Sequence, residues 1–521
     1  MRIRLLISIL FAEFLAGQCA EAQVMPGRRT IYEPVPQQDS RFGTAVDIAQ
    51  VDFDARDELL VGAPGSRTAV GNIKSGRVYL YQNVETVSLN PSVLEPPNPQ
   101  DGEEFGGYID VGDIDGDGNP DIVVGARTWD FSSTITDAGR VVIFFGPTFT
   151  VTNTFVITEP ATNVGQKGIQ PMGPEKLATF GSVFHVANID GVLGDDIVIG
   201  CPFAARVEGG TVAFGAGEAF VFFNFNSAAG SWGLVQCLFI PDFQNADTDM
   251  NFHNDLETGS TFGYTVYAGS FDGEPGALDI AVGAPGPWGS HVDAMNPEGP
   301  GRFYLYRDPL DPQVSWVRYD EYILTNNFGP ESGSRFAYMF DVHDMDGDGN
   351  DDLLVGSGIS DKDLPLPFVL DSGEGFVLMG NAVTPFPVSS ARLFREPFLP
   401  GGGGGPESMS QFGDWVSEGD VDGDGKTDFI TTALSATAGG QPRAGEMFIF
   451  YPFALLAKPP LVIQEDVPEN DAQMGFSPTA GRLTASGGVP DTYDDVAVGV
   501  RLADFPGATD TGRVLVLFFR P

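Results

Sequence analysis

The sequence predicts an all-β fold made of seven copies of one four-strand unit, and three recurring signals carry that expectation. A Phe-Gly pair or a variant of it stands at Phe42-Gly43, Phe105-Gly106, Phe180-Gly181, Phe262-Gly263, Phe336-Ala337, Phe412-Gly413 and Met474-Gly475. After each comes a short polar loop, acidic in most copies, and then an apolar run usually ending in Gly-Ala or a variant, at 59–64, 122–126, 197–202, 280–285, 353–357, 429–433 and 496–500. A glycine then opens a second apolar run at Gly76, Gly139, Gly217, Gly301, Gly373, Gly445 and Gly512. The 432 residues from Gly43 to Gly475 hold six intervals, a mean of 72, which is the period of a repeat architecture.

Each signal maps to a strand. The first strand starts at Phe-Gly, the second follows the loop, and the third follows the lone glycine. A fourth apolar run precedes the next Phe-Gly, at 93–94, 154–157, 234–240, 317–324, 392–394 and 461–464. Runs such as 141–145 and 304–306 are apolar at consecutive positions, so both faces of those strands must be buried. One unit cannot bury both faces alone, so the copies form a single domain over 23–521. The copies fall near 41–103, 104–178, 179–260, 261–334, 335–410, 411–472, and 473–521 joined to 28–34. The seventh copy lacks a fourth strand of its own. A spare strand at 30–33 is expected to complete it as the outermost strand, which removes an exposed edge.

The loops point to a hard divalent cation. In the second copy Asp113, Asp115, Asp117 and Asp121 alternate with Gly116, Gly118 and Asn119. Four carboxylates this close oppose one another's ionisation. Ca2+ removes the conflict, because it takes six to eight oxygens from alternating Asp side chains and a backbone carbonyl. That carbonyl would come from Asn119. The string returns as Asp344, Asp346, Asp348, Asn350 and Asp352, and as Asp420, Asp422, Asp424, Lys426 and Asp428. Lys426 is acceptable where only a main-chain oxygen is needed. An EF-hand needs Glu at position twelve and a following helix, whereas Val124, Val355 and Thr431 stand there and the flanks are β-type. Three full Ca2+ loops are therefore expected, and up to five with two weaker ones: Asp52, Asp54 and Glu58 in the first copy, and Asp272, Glu274 and Asp279 in the fourth. The third copy (Asn188, Asp190, Val192, Asp196) lacks a ligand, and the seventh offers only Asp494-Asp495.

Phe-Gly, an Asp loop and Gly-Ala-Pro in this order resemble the FG-GAP repeat of integrin α-subunit propellers. The resemblance covers essentially all of 23–521 and implies a seven-bladed β-propeller of four-stranded antiparallel blades, with calcium in hairpin loops on one face and an adhesion-type role. Radially stacked blades also satisfy the two-sided burial read from the strands. Calcium is expected to be structural, fixing the hairpin tips.

The net charge of -43 speaks against nucleic acid as a partner. Arg2 and Arg4, an apolar run over 5–15 and Ala20-Glu21-Ala22 read as a secretory signal over 1–22. Cys19 raises a lipoprotein alternative, which the Ala16-Gly17-Gln18 before it does not favour. No later run reaches the ~18 apolar residues of a membrane span, so a secreted or extracytoplasmic protein is expected. Cys201 and Cys237 would lie about two strand spacings apart, ~9.6 Å, beyond the ~7 Å reach of a disulfide, and are expected to be free thiols. None of His185, His253, His291 and His343 forms a metal pair by spacing, and phosphate-binding loops are missing. Two main function classes remain. One is a binding module that grips an extracellular protein or glycan on the face opposite calcium, through links at 127–138, 160–178, 243–260 and 285–301, where Trp129, Phe131 and Trp288 sit. The other is a polysaccharide lyase or hydrolase working in the central cleft. A structural envelope component is a third class.

Overall fold

The structure is a computed structural model. It describes residues 26–520 apart from 86–88, 161–172, 209–210, 240–258, 274–275, 287–300, 311–315, 321–334, 360–371, 383–384, 388–390, 398–406, 454–457, 487–488 and 491. The leader reading over 1–22, Glu274, Trp288, His253 and His291 lie outside the described residues.

Seven four-stranded antiparallel sheets form a closed ring, a seven-bladed β-propeller. The second blade is representative: Phe105–Gly112 pairs with Asp121–Ala126, then Arg140–Phe144, then Thr154–Ile157. The second strand is fully buried in every blade, from Glu58–Ala63 to Asp495–Val500. Its consecutive residues serve opposite neighbours. Ile122 and Val124 pack on Leu60, Val78 and Leu80 of the first blade, while Val123 packs on Ile197, Ile199 and Phe220 of the third. At ~25 cal/mol per Å2 of apolar surface, this two-sided burial is what favours one ring over separate units.

The seventh blade consists of Met474–Gly481, Asp495–Val500 and Arg513–Phe518, with Gly27–Tyr32 outermost. The closing strand thus starts earlier than expected and stops at Tyr32. Glu33 leaves the sheet and turns its carboxylate to the first blade, where it accepts hydrogen bonds from Tyr79 Oη at 2.8 Å, Ser66 Oγ and Gln37 N. Blade 3 also differs from expectation. Its third strand runs through Glu218–Asn226 and its fourth starts at Ser231, because a tight turn at 227–230 makes them a long hairpin.

The glycine signals are one inter-blade junction. The Phe42 N–H donates to Thr511 O at 2.9 Å, and a Cβ on Gly512, whose φ is +72°, would lie 2.1 Å from Phe42 O. Gly76 and Phe105 repeat this contact between blades 1 and 2. Cys201 and Cys237 are buried and not disulfide-bonded, on the second and fourth strands of blade 3, with Glu218–Asn226 between them.

Candidate functional site

The turn between the first and second strands builds the acidic loops from local hydrogen bonds. In blade 2 the Asp113 carboxylate accepts from the N–H groups of Asp117 (3.1 Å) and Gly118 (2.9 Å), and Asp117 Oδ1 accepts from Asn119 N (2.8 Å). Asp121 accepts from Ile114 N at 2.9 Å and Gly146 N at 2.8 Å. Asp344, Asp348 and Asp352 repeat the pattern in blade 5, and Asp420, Asp424 and Asp428 in blade 6.

Carboxylate oxygens converge within 4.8 Å of one another in four groups: Asp113, Asp115 and Asp121; Asp344, Asp346 and Asp348; Asp420, Asp422 and Asp428; and Asp52, Asp54 and Glu58. Each full loop therefore gathers three of its four expected carboxylates. In the three full loops Asp117, Asp348 and Asp424 each turn an oxygen to the N–H of the seventh loop residue: Asn119, Asn350 or Lys426. The first-copy loop assembles although its first Asp is replaced, because Gln50 Oε1 accepts from Asp52 N and Phe53 N in its stead.

The donor chemistry fits a hard cation. Burial first, then neighbouring acids, pushes the Asp428 carboxyl up to about 9, and burial is the main cause that lifts Asp121 and Asp352 to about 7 and Glu58 to about 8. Groups held this way resist ionising together, and a divalent ion favours their charged forms. Two lysines stand close by. Lys458 Nζ pairs with Asp422, and Lys426 Nζ reaches Asp346 O in the neighbouring loop at 2.5 Å.

The remaining loops carry internal contacts at their described residues. In blade 4, Arg307 places its guanidinium on Asp272 (Nη2 2.5 Å, Nε 2.9 Å), and Asp279 is buried at the head of the second strand. In blade 3, Asn224 Nδ2 donates to Asp190 Oδ2 at 2.6 Å. In blade 7, Asp494 serves another purpose. Its Oδ2 accepts from Asp420 N at 2.8 Å while its own N–H donates to Asp420 O at 2.9 Å. Asp195 clips Asp113, Asp351 clips Ser270 and Asp57 clips Arg482 in the same two-bond manner. Two of these clips fasten the first residue of an acidic loop to the next blade. The signal in the sequence is an acidic doublet heading the second strand: Asp57-Glu58, Asp195-Asp196, Asp351-Asp352 and Asp494-Asp495.

The first strands line an axial cavity of about 250 Å3. Asp47, Asp110, His185, Tyr267, Asp341 and Ser417 occupy the same position after each Phe-Gly and meet there. His185 stacks on Tyr267 at 4.5 Å, with its Nδ1 3.4 Å from Asp110 Oδ2. Burial, then Asp110, pushes Asp47 up to about 8. The signal for this group is its shared place five residues after the Phe of each Phe-Gly, but its members come from different blades. His343 ends its strand with Nδ1 3.6 Å from Glu418 Oε1.

On the opposite face Trp129 is packed. Phe131 meets it edge-on at 6.1 Å, and the Arg140 guanidinium lies 5.1 Å from its ring centre. Phe131 is 48% exposed. No helix among the described residues is long and apolar enough to cross a membrane.

A closed ring of seven blades with acidic hairpin tips is the architecture of a repeat propeller. The FG-GAP repeat family matches residues 105–144, from the Phe-Gly of blade 2 to the end of its third strand. The chain is similar to integrin alpha-PS2 of Drosophila melanogaster, 29% identical over 252 residues, which are 47% of this chain and 16% of that protein. It is similar to integrin alpha pat-2 of Caenorhabditis elegans, 26% identical over 174 residues, 33% of this chain and 13% of that one. A phosphatidylinositol-glycan-specific phospholipase D of Homo sapiens is 30% identical over 192 residues, 34% of this chain and 21% of that one. The chain thus matches about a fifth or less of these relatives' length, and the matches support an integrin-α-like FG-GAP repeat protein.

Proposed function

We propose that the protein is an exported, calcium-binding propeller that acts as an adhesion-type binding module, holding an extracellular protein or glycan on the face away from its acidic loops. The observation that carries this reading is the gathering of four carboxylate groups at hairpin tips on one face. Ca2+ there would be held by Asp113, Asp115 and Asp121, by Asp344, Asp346 and Asp348, by Asp420, Asp422 and Asp428, and by Asp52, Asp54 and Glu58, with Asn119, Asn350 and Lys426 supplying carbonyls. The ion supplies positive charge that ties three carboxylates together. The chain's own part is to orient those carboxylates through backbone N–H groups and to clip the loops to the next blade. Export rests on reading 1–22 as a leader. A screen against matrix proteins and against neutral and acidic glycans, with Ca2+ and with EGTA, tests the module. Ligand binding that weakens in EGTA is the expected result, and the absence of any ligand contradicts it.

The polysaccharide-acting alternative finds converging groups in the axial cavity, where Asp47 is held protonated near neutral pH beside Asp110. The cavity volume of about 250 Å3 lies below the roughly 300–1,000 Å3 of ligand pockets, which favours the binding module.

A further inference from the structure

In a chain of net charge -43, positive charge gathers at one place on the face opposite the acidic loops. Arg41 directly precedes the first Phe-Gly, while Arg127 and Arg501 directly follow the second strands of blades 2 and 7. All three therefore stand at the Phe-Gly end of the axial channel. Glu104 takes Arg41 and Arg127 together, each at 2.7 Å. Arg501 pairs with no carboxylate among the described residues. Its guanidinium lies 3.8 Å from the Phe476 ring centre and its Nη2 donates to Gln473 Oε1 at 3.2 Å. Its Nε is buried and meets no acceptor, which is rare for a buried donor.

Burial, then Arg41 and Arg127, pull the Arg501 guanidinium down to about 10. Glu104, Asp39, Asp504 and Asp510 are acids near this end, and burial, then Asp504, raises the Asp510 carboxyl. Across the mouth, Tyr264 donates to the Tyr338 hydroxyl at 3.0 Å and their rings lie 4.8 Å apart. The mouth thus combines guanidinium forks with aromatic surfaces. Forks suit planar oxyanions, and aromatic rings suit the apolar side of a sugar.

We propose that this mouth is an oxyanion site in which Arg501, supported by Arg127 and Arg41, holds the carboxylate or sulfate of an acidic saccharide. The proposal rests on the reading of this face as the ligand face. It is tested with the full calcium-loaded chain at 150 mM salt, on immobilised polygalacturonate, dextran sulfate, neutral dextran and polyglutamate. The expected result is binding to polygalacturonate or dextran sulfate, whichever oxyanion fits, and none to neutral dextran. Arg501→Gln and the more exposed Arg127→Gln should each weaken it at least tenfold at an unchanged melting temperature, and Arg520→Gln, which pairs with Glu85 instead, should not. Equal binding to neutral dextran, tighter binding to polyglutamate, or binding untouched by both variants overturns the proposal. So does failure to bind either acidic saccharide. If the wider screen finds a ligand that ignores both substitutions, this site falls while the module reading stands; if it finds none, both fall.

Discussion

Lys458 sets its ammonium on Asp422, one of three carboxylates gathered in the blade 6 loop. A fixed positive charge there competes with any divalent ion for the same oxygens. Lys458→Met should raise the calcium affinity of that loop several-fold without altering the loops of blades 2 and 5, as read by calorimetric titration. The junction glycines offer a second residue-scale test. Gly512→Ala adds a Cβ 2.1 Å from Phe42 O at a φ of +72°, whereas Gly102→Ala, at +84°, meets nothing within 4 Å. Both pay the ~1–2 kcal/mol of a left-handed residue. Only Gly512→Ala should also lose roughly 1–3 kcal/mol to overpacking, and denaturant unfolding of the two variants separates them.

At the scale of elements, ring closure rests on Gly27–Tyr32, which pairs in register with Arg513–Phe518 over six residues. Glu33 then ties the same segment to Tyr79 and Ser66 in the first blade. Removing residues 23–36 takes away the outer strand and this latch together. A sharp fall in melting temperature is expected, and an unchanged melt would contradict closure. The acidic loops act at this scale too, because Asp494 and Asp195 bind the first residue of each neighbouring loop by two hydrogen bonds. An ion that stiffened one hairpin would thereby act on the next blade.

For the molecule as a whole, acid is in excess, and some buried carboxyls lie beside other acids. Glu159 is 2% exposed, and burial followed by Glu218 and Glu175 pushes it up to about 9. A carboxyl raised in the folded chain holds its proton more tightly there than in the unfolded chain. Its contribution is complete below the ordinary glutamate range, about 4.5, and is lost as pH rises toward about 9. Glu159→Gln should therefore stabilise the protein at pH 8, by up to roughly 5 kcal/mol at ~1.4 kcal/mol per pH unit, and change little at pH 4; thermal melts across that range check it.

Blade number, strand order, the closing strand and the acidic loops were legible in the sequence, because each depends on residues close together in the chain. The Phe-Gly, Gly-Ala and lone-glycine signals were legible too, although their cause, backbone of one blade pressed against the next, was not. The clips of Asp57, Asp195, Asp351 and Asp494, the His185–Asp110–Tyr267 group and the arginine mouth were hidden. Each joins residues about one blade or more apart, which only the rotation of the ring brings together.

The most direct test of the account is the metal content of the purified chain. After dialysis in millimolar Ca2+ and removal of free ion, elemental analysis should find four calcium ions per chain, one for each carboxylate group. Adding Ca2+ at 100 times its Kd should stabilise the fold by ~2.7 kcal/mol for each such site. A chain that retains no calcium, and melts at the same temperature in EGTA, would contradict it.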